Sequence, residues 1–168
     1  MAGTVANLEL GACNVEFGAS GSEVDLGFTK GGVTLSIDSP VVNITTDQFG
    51  LVVLKQILVG RTAIVRIPFA ETDLLLMSKI IPAASHVIDS VDATKKKTII
   101  NTPIGKDILS AVANSLKLTK SIGGVKSSAG NDAFRFFKAA PTGPVEFMFS
   151  IENQRVFSTE WTAFADAA

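Results

Sequence analysis

The sequence predicts a mainly β protein of the α+β kind, a β-sandwich or partly closed barrel with one or two flanking helices. Three observations predict it. Apolar and polar residues alternate through most of the regular segments, the period of a half-buried strand. Glycine and proline punctuate those segments at short intervals. Two stretches alone carry helical spacing. The 168 residues fit one domain, 1–168, long enough to bury a sizeable core.

In "ACNVEFG", Cys13, Val15 and Phe17 share one face and Asn14 and Glu16 the other. "GASGS" then reads as a turn or a mobile loop. Val24, Leu26 and Phe28 alternate with Asp25 and Gly27, and Gly31-Gly32 can supply the positive φ angles of a tight hairpin turn. Val33, Leu35 and Ile37 alternate with Thr34, Ser36 and Asp38 in the returning strand. At Ser39-Pro40 the phase changes: apolar residues are odd-numbered before it and even-numbered after it, at Val42 and Ile44. A one-residue shift turns side chains to the other face, so a bulge or bend is expected there. A long strand bent in this way can begin in one sheet and end in another.

Asp47 to Gly50 reads as a turn, and Leu51 to Leu54 with Ile57 to Val59 as a further strand. From Arg61 to Ala70, Ala63, Val65, Ile67 and Phe69 line one face against Thr62 and Arg66. "DLLLMSKII" reads as a helix capped by Thr72 and stopped by Pro82. Leu74, Leu75, Leu76, Met77, Ile80 and Ile81 cover most of its circumference, so it must be covered on several sides. "TPIGKDILSAVANS" reads as a second helix, with Thr102 as cap, Pro103 at its first position and Ile104, Ile108, Leu109 and Val112 on one face. Gly105 works against it. The Gly/Ser-rich segment 121–132 is expected to be a flexible loop. Phe134 to Phe137 reads as a short strand. A closing hairpin has Val145, Phe147, Phe149 and Ile151 alternating with Glu146, Ser150 and Glu152, a turn at "ENQR", and Phe157, Thr159, Trp161 and Ala163 returning.

Charged residues make up 18% of the chain, low against about 25% for soluble domains, and the net charge is −1. Little self-repulsion opposes association, which suggests that neighbouring copies cover much of the surface. Residues 1–47 carry six acids against Lys30 alone, net −5, whereas 93–126 carry seven lysines against Asp107, net +6. Patches of opposite sign can fix orientation and register between copies. The basic segment lacks interleaved aromatics, which argues against nucleic-acid readout. Cys13 is the single cysteine and is expected to be a buried strand thiol. The opening residues lack the basic start and apolar run of a signal peptide, and the apolar stretch 49–60 is too short to span a membrane. The expectation is synthesis in the cytoplasm and solubility until assembly.

No catalytic constellation emerges. Gly27 and Gly32 have the spacing of a phosphate-binding loop, but Val33 stands where its lysine belongs. Gly105-Lys106 has Ile100 in the first glycine position and Asp107 in place of the hydroxyl. The serines do not fit a Gly-x-Ser-x-Gly elbow. His86 is the only histidine, and in a strand it points away from Ser85. One His and one Cys do not make a zinc site. The acids lack the aromatic platforms of a glycosidase, since there is one Trp and no Tyr. Lys95, Lys96 and Lys97 read as a solvated loop or a charged contact. The chain is therefore expected to be non-enzymatic, without cofactor or metal.

"VDLGFTKGGVTLSIDSPVVNITTDQFG" resembles the N-terminal region of tail tube proteins of long-tailed bacterial viruses, with its Leu-Gly-x-Thr-Lys-Gly-Gly-Val run and a long strand ending at Asp47-Gln48. "AAPTGPVEFMFSIENQRVFSTEWTAFADA" is similar to that family's closing hairpin, and the apolar strand and "ETDLLLMSKII" helix fit its order. The resemblance implies a subunit that forms hexameric rings, stacked head-to-tail into a virion tube, its long bent strands joining an inter-subunit barrel. Implied partners are further copies, other tail proteins at the tube ends, a tape measure protein and, transiently, DNA in the lumen, with no membrane. Passive conduction calls for a lumen that attracts phosphate little. Thr34, Ser36, Asp38, Asn43 and Thr45 are the lumen candidates. Leu74, Leu75, Met77, Ile80, Lys95, Lys96 and Lys97 are the subunit-contact candidates. Competing readings are a tail terminator, a decoration protein or a β-sandwich ligand-binding module.

Overall fold

The computed structural model describes residues 11–71, 73–101, 104–105, 107–147, 151 and 155–165. In chain order the strands are β1 (Ala12–Gly18), β2 (Val24–Asp25), β3 (Thr34–Asp38), β4 (Val41–Ile44), β5 (Lys55–Leu58) and β6 (Thr62–Phe69). Helix α1 (Leu74–Ile80) follows, then β7 (Ala84–Ile88), β8 (Lys96–Ile100) and the short helix α2 (Ile108–Ala111). The chain continues through β9 (Asn114–Ile122), β10 (Val125–Lys126), β11 (Ala133–Pro141), β12 (Glu146–Phe147) and β13 (Phe157–Ala163). The protein is mainly β, as its alternating pattern requires.

Nine strands form one antiparallel sheet in the order β2-β1-β9-β11-β13-β6-β3, with β10 beside β9 and β12 beside β13. The ends, β2 and β3, do not pair, so the barrel stays open. β11 joins the two halves. Its first residues pair with β9 and its last with β13, with a register shift between Phe136 and Ala139. Such a bulge bends a strand and lets the sheet fold over. Strands distant in the sheet thereby meet: the Phe17 ring of β1 stands edge-on to Trp161 of β13, with centroids 4.7 Å apart.

Val15, Val65, Ile67, Phe69, Leu116 and Phe157 are fully buried with Trp161 in this core. Each such side chain contributes roughly 1.5–3 kcal/mol relative to exposure. Trp161 Nε1 donates to Thr159 Oγ1 at 2.9 Å, and that hydroxyl donates to the Ile67 carbonyl at 3.2 Å. The buried indole is thus satisfied.

The glycine pair departs from expectation. No hairpin joins 24–28 to 33–38. Asp25 Oδ1 accepts the Gly27 N–H at 2.8 Å, a local turn that ends β2. The chain then crosses to β6, where Thr29 lies opposite Phe69 and Thr34 opposite Arg66. Five steps on one strand match three on the other. Gly31 and Gly32, at φ 100° and 88°, therefore form a two-residue bulge in one long edge strand.

Helix α1 lies at the predicted place. Asp73 caps it, its side chain accepting the Leu75 N–H at 3.4 Å, whereas Thr72 lies outside the described residues. α1 sits against the β7–β8 hairpin, and Thr98 Oγ1 donates to the Leu74 carbonyl at 2.7 Å. The second helix shrinks to α2, capped by Asp107. Thr102 and Pro103 lie outside the described residues. The predicted helix runs into β9, because Leu116 and Leu118 alternate with Lys117 and follow the strand period into the core. Segment 121–132 is not loop throughout: β9 runs to Ile122, turns at Gly123-Gly124, and returns as β10. The strand expected at Phe134 to Phe137 extends over all of β11. The closing hairpin pairs Phe147 with Phe157 and Glu146 with Ser158. Its expected members Phe149, Ser150, Glu152, Asn153 and Gln154 lie outside the described residues.

Candidate assembly surface

β4 and β5 leave the large sheet as a two-stranded ribbon. β3 leads into it through Ser39-Pro40, and β6 receives it, so the long strand does begin in one sheet and end in another. Asp38 lies opposite Thr62 and Val41 opposite Leu58, so three steps face four. The extra residue is in 59–61, on the strand across from the expected site at Pro40. Val59 N–H donates to the Pro40 carbonyl at 2.9 Å, and Arg61 Nε to Ser39 Oγ at 3.3 Å. These bonds hold the bend.

The ribbon is apolar and uncovered. Val41, Val42, Ile44, Ile57 and Leu58 are all exposed, on both of its faces. At its tip Phe49 is 62% exposed and Leu51 97%. Asn43 and Gln56 face each other and share a hydrogen bond of 3.0 Å. Scattered exposed apolar residues are ordinary, but a contiguous set on a projecting ribbon marks an interaction surface. The bare edge strands add unpaired N–H and C=O groups to it.

The lumen candidates separate into two sets. Thr34, Ser36 and Asp38 share the outward face of β3, opposite Arg66, Ile64 and Thr62. That face continues onto β13, where Glu160 accepts from Arg66 Nε at 2.9 Å. It carries hydroxyls and the carboxylates of Asp38 and Glu160, and its Arg66 is paired. Asn43 belongs to the ribbon and Thr45 lies just past β4, so the bend removes both from the β3 face.

The contact candidates also divide. Leu74 and Leu75 are exposed and Met77 is half-buried. Ile80 is fully buried in the chain's own core and is corrected from contact residue to core residue. It lies on the same helix face as Leu76, one turn on. Lys95, Lys96 and Lys97 are exposed, with Lys95 3.6 Å from Asp92 in the β7–β8 turn.

A cavity of about 630 Å³ opens where β3 begins. Cys13, Val33, Leu35, Leu118 and Phe134 give it apolar walls, and Lys120 and Asp132 are its charged members. Burial pushes the Cys13 thiol pKa up. Sequence reasoning missed this cavity, because its walls come from four separate strands.

Ser85, His86 and Asp89 do not converge. His86 pairs across β7–β8 with Thr98, while Asp89 Oδ1 accepts the Val91 and Asp92 N–H groups at 2.8 and 3.1 Å. Those bonds hold the Asp89 carboxyl below its ordinary range. Among the described residues no group of three or more His, Cys, Asp or Glu is placed to hold a metal, and no helix is long and apolar enough to cross a membrane. Neither a protein-family model nor a curated protein matches the sequence.

Proposed function

We propose that this chain is the structural subunit of a bacterial virus tail tube, non-enzymatic, assembling as hexameric rings stacked head-to-tail around a passive channel for DNA. The observation that carries the reading is the β4–β5 ribbon, whose apolar side chains stand exposed on both faces, uncovered among the described residues. A ribbon of that kind gains its burial against sister copies. The open sheet supports the same reading, because edge strands that cannot close within one chain can pair between chains. The outward face of β3, β6 and β13 suits a lumen: it offers phosphate hydroxyls and an already paired Arg66. Leu74, Leu75 and the three lysines serve contacts outside that channel. The finished protein resides in the virion after synthesis in the host cytoplasm.

Negative-stain microscopy of the purified chain tests this. Long tubes built of stacked rings are expected; isolated rings would favour a tail terminator, and particles binding only to preformed virions a decoration protein. A ligand-binding β-sandwich is the second reading, favoured by the cavity beside β3. It requires a monomer that binds a small apolar compound there.

A further inference from the structure

We propose that the cavity at the start of β3 receives the tip of the β4–β5 ribbon from a second copy of this chain. The proposal rests on the tail tube reading and names the surface on which one copy holds the next.

Shape supports it first. The cavity lies at the seam where the two ends of the sheet approach without pairing, between β1 with β9 on one side and β3 on the other. Gly31 and Gly32 contribute backbone alone, and nothing lies within 4 Å of where a Gly32 Cβ would stand. The bulge therefore leaves a notch rather than a wall. A cavity of a few hundred Å³ with apolar walls takes a large apolar group. Phe49 and Leu51, on the ribbon turn, are such groups and both are exposed.

Direction supports it next. The cavity sits where β3 starts, and the ribbon tip lies beyond where β3 ends. About 40 Å of strand path separates Leu35 from Asp47 at the usual rise per residue. A chain therefore does not fill its own cavity with its own tip. A projection at one end and a recess at the other make a heterologous contact, which propagates as a stack instead of closing as a dimer.

Charge supports it last. Asp47 and Lys55 flank the tip, and Lys120 and Asp132 are the cavity's charged pair. Each sign on the tip finds its opposite on the recess, which fixes register more than affinity.

Cys13 makes the contact measurable, because the only native thiol lines the recess. Leu51→Cys and, separately, Phe49→Cys place a second thiol on the exposed tip, where the fold does not depend on it. Assembled protein is treated with copper phenanthroline at a pH of about 8.5, where the exposed tip thiol supplies thiolate while the Cys13 thiol, raised by burial, ionises less. A disulfide requires Cα atoms within about 7 Å, so cross-linking reports seating of the tip. The expected result is a ladder of dimers, trimers and larger species on a non-reducing gel for at least one variant, lost when Cys13→Ser is added. Tubes that form but give no Cys13-dependent ladder overturn the recess and leave the tube reading standing. Products that stop at dimer indicate a reciprocal contact and also overturn it. A chain that stays monomeric, or one whose cavity binds a small hydrophobic dye without assembling, removes both readings.

Discussion

Thr159 carries more of the core than its size suggests. Its hydroxyl accepts from the buried Trp161 indole and donates to the Ile67 carbonyl, so one atom satisfies two strands. Thr159→Val keeps the shape and leaves the buried Trp161 indole N–H without its acceptor, while the Ile67 carbonyl keeps its place in the β13–β6 ladder. The expected cost is about 1–3 kcal/mol, read as a lower urea midpoint with unchanged slope. Glu23 shows a different economy. Hydrogen bonds from its own backbone N–H, then from the Ser115 hydroxyl and Arg135, hold its carboxyl well below the ordinary 4.5, at about 2. Arg135 also donates to Ser20 Oγ at 2.9 Å and Ser115 Oγ at 3.1 Å, which ties the turn after β1 to β9 and β11. Because the folded pKa is depressed, this stability is complete above pH 4.5 and is lost as pH falls toward 2. Glu23→Gln is therefore expected to be less stable than wild type at pH 7, with the gap closing over that acid window in a series of thermal melts. A constant gap from pH 7 to pH 2 would contradict the assignment.

At the scale of elements, strands with one face in the core were legible and their partners were not. The faces of β1, β6 and β13 follow from alternation because Val15, Val65 and Trp161 must turn inward. The pairing of residues 28–38 is a long-range choice that no local pattern encodes. Gly31-Gly32 suits a hairpin turn and a bulge equally, since both need positive φ. β9 was hidden by its surroundings: helical spacing at Ile108, Leu109 and Val112 runs directly into it, and a Gly/Ser-rich stretch follows. Its buried Ser115, Thr119 and Ser121 also blur the alternation. Two substitutions probe this level. Gly32→Ala meets no neighbouring atom, yet its φ of 88° is expected to cost about 1–2 kcal/mol in chemical denaturation, a purely conformational penalty. Leu51→Lys at the ribbon tip is expected to change monomer stability by less than about 0.5 kcal/mol while abolishing large species in sedimentation velocity. Loss of stability without loss of assembly would reverse the role given to the tip.

The whole molecule joins a closed core to unfinished surfaces. The two halves of the sheet bury each other through Phe17 and Trp161, while β3, β4 and β5 keep bare edges and the ribbon keeps its apolar faces in water. The candidate assembly surface was half legible: the bend near Pro40 and the apolar run after it stand in the sequence, whereas their projection beyond the core depends on the pairing of β3 with β6. The low charge of the chain leaves little self-repulsion to oppose the proposed association of copies. If the face bearing Thr34 and Ser36 lines a channel, Ser36→Arg adds one cation per subunit to it. Tubes of that variant are expected to retain DNA at low salt and release it steeply as salt rises, where wild-type tubes retain none.

Amide hydrogen exchange across 41–58, followed from dilute to concentrated protein, tests the central claim most directly. Sheltering of the ribbon by a sister chain predicts fast exchange when dilute and strong protection once particles form, with the core of β6 and β13 protected throughout. Equal, rapid exchange of the ribbon at every concentration would contradict it.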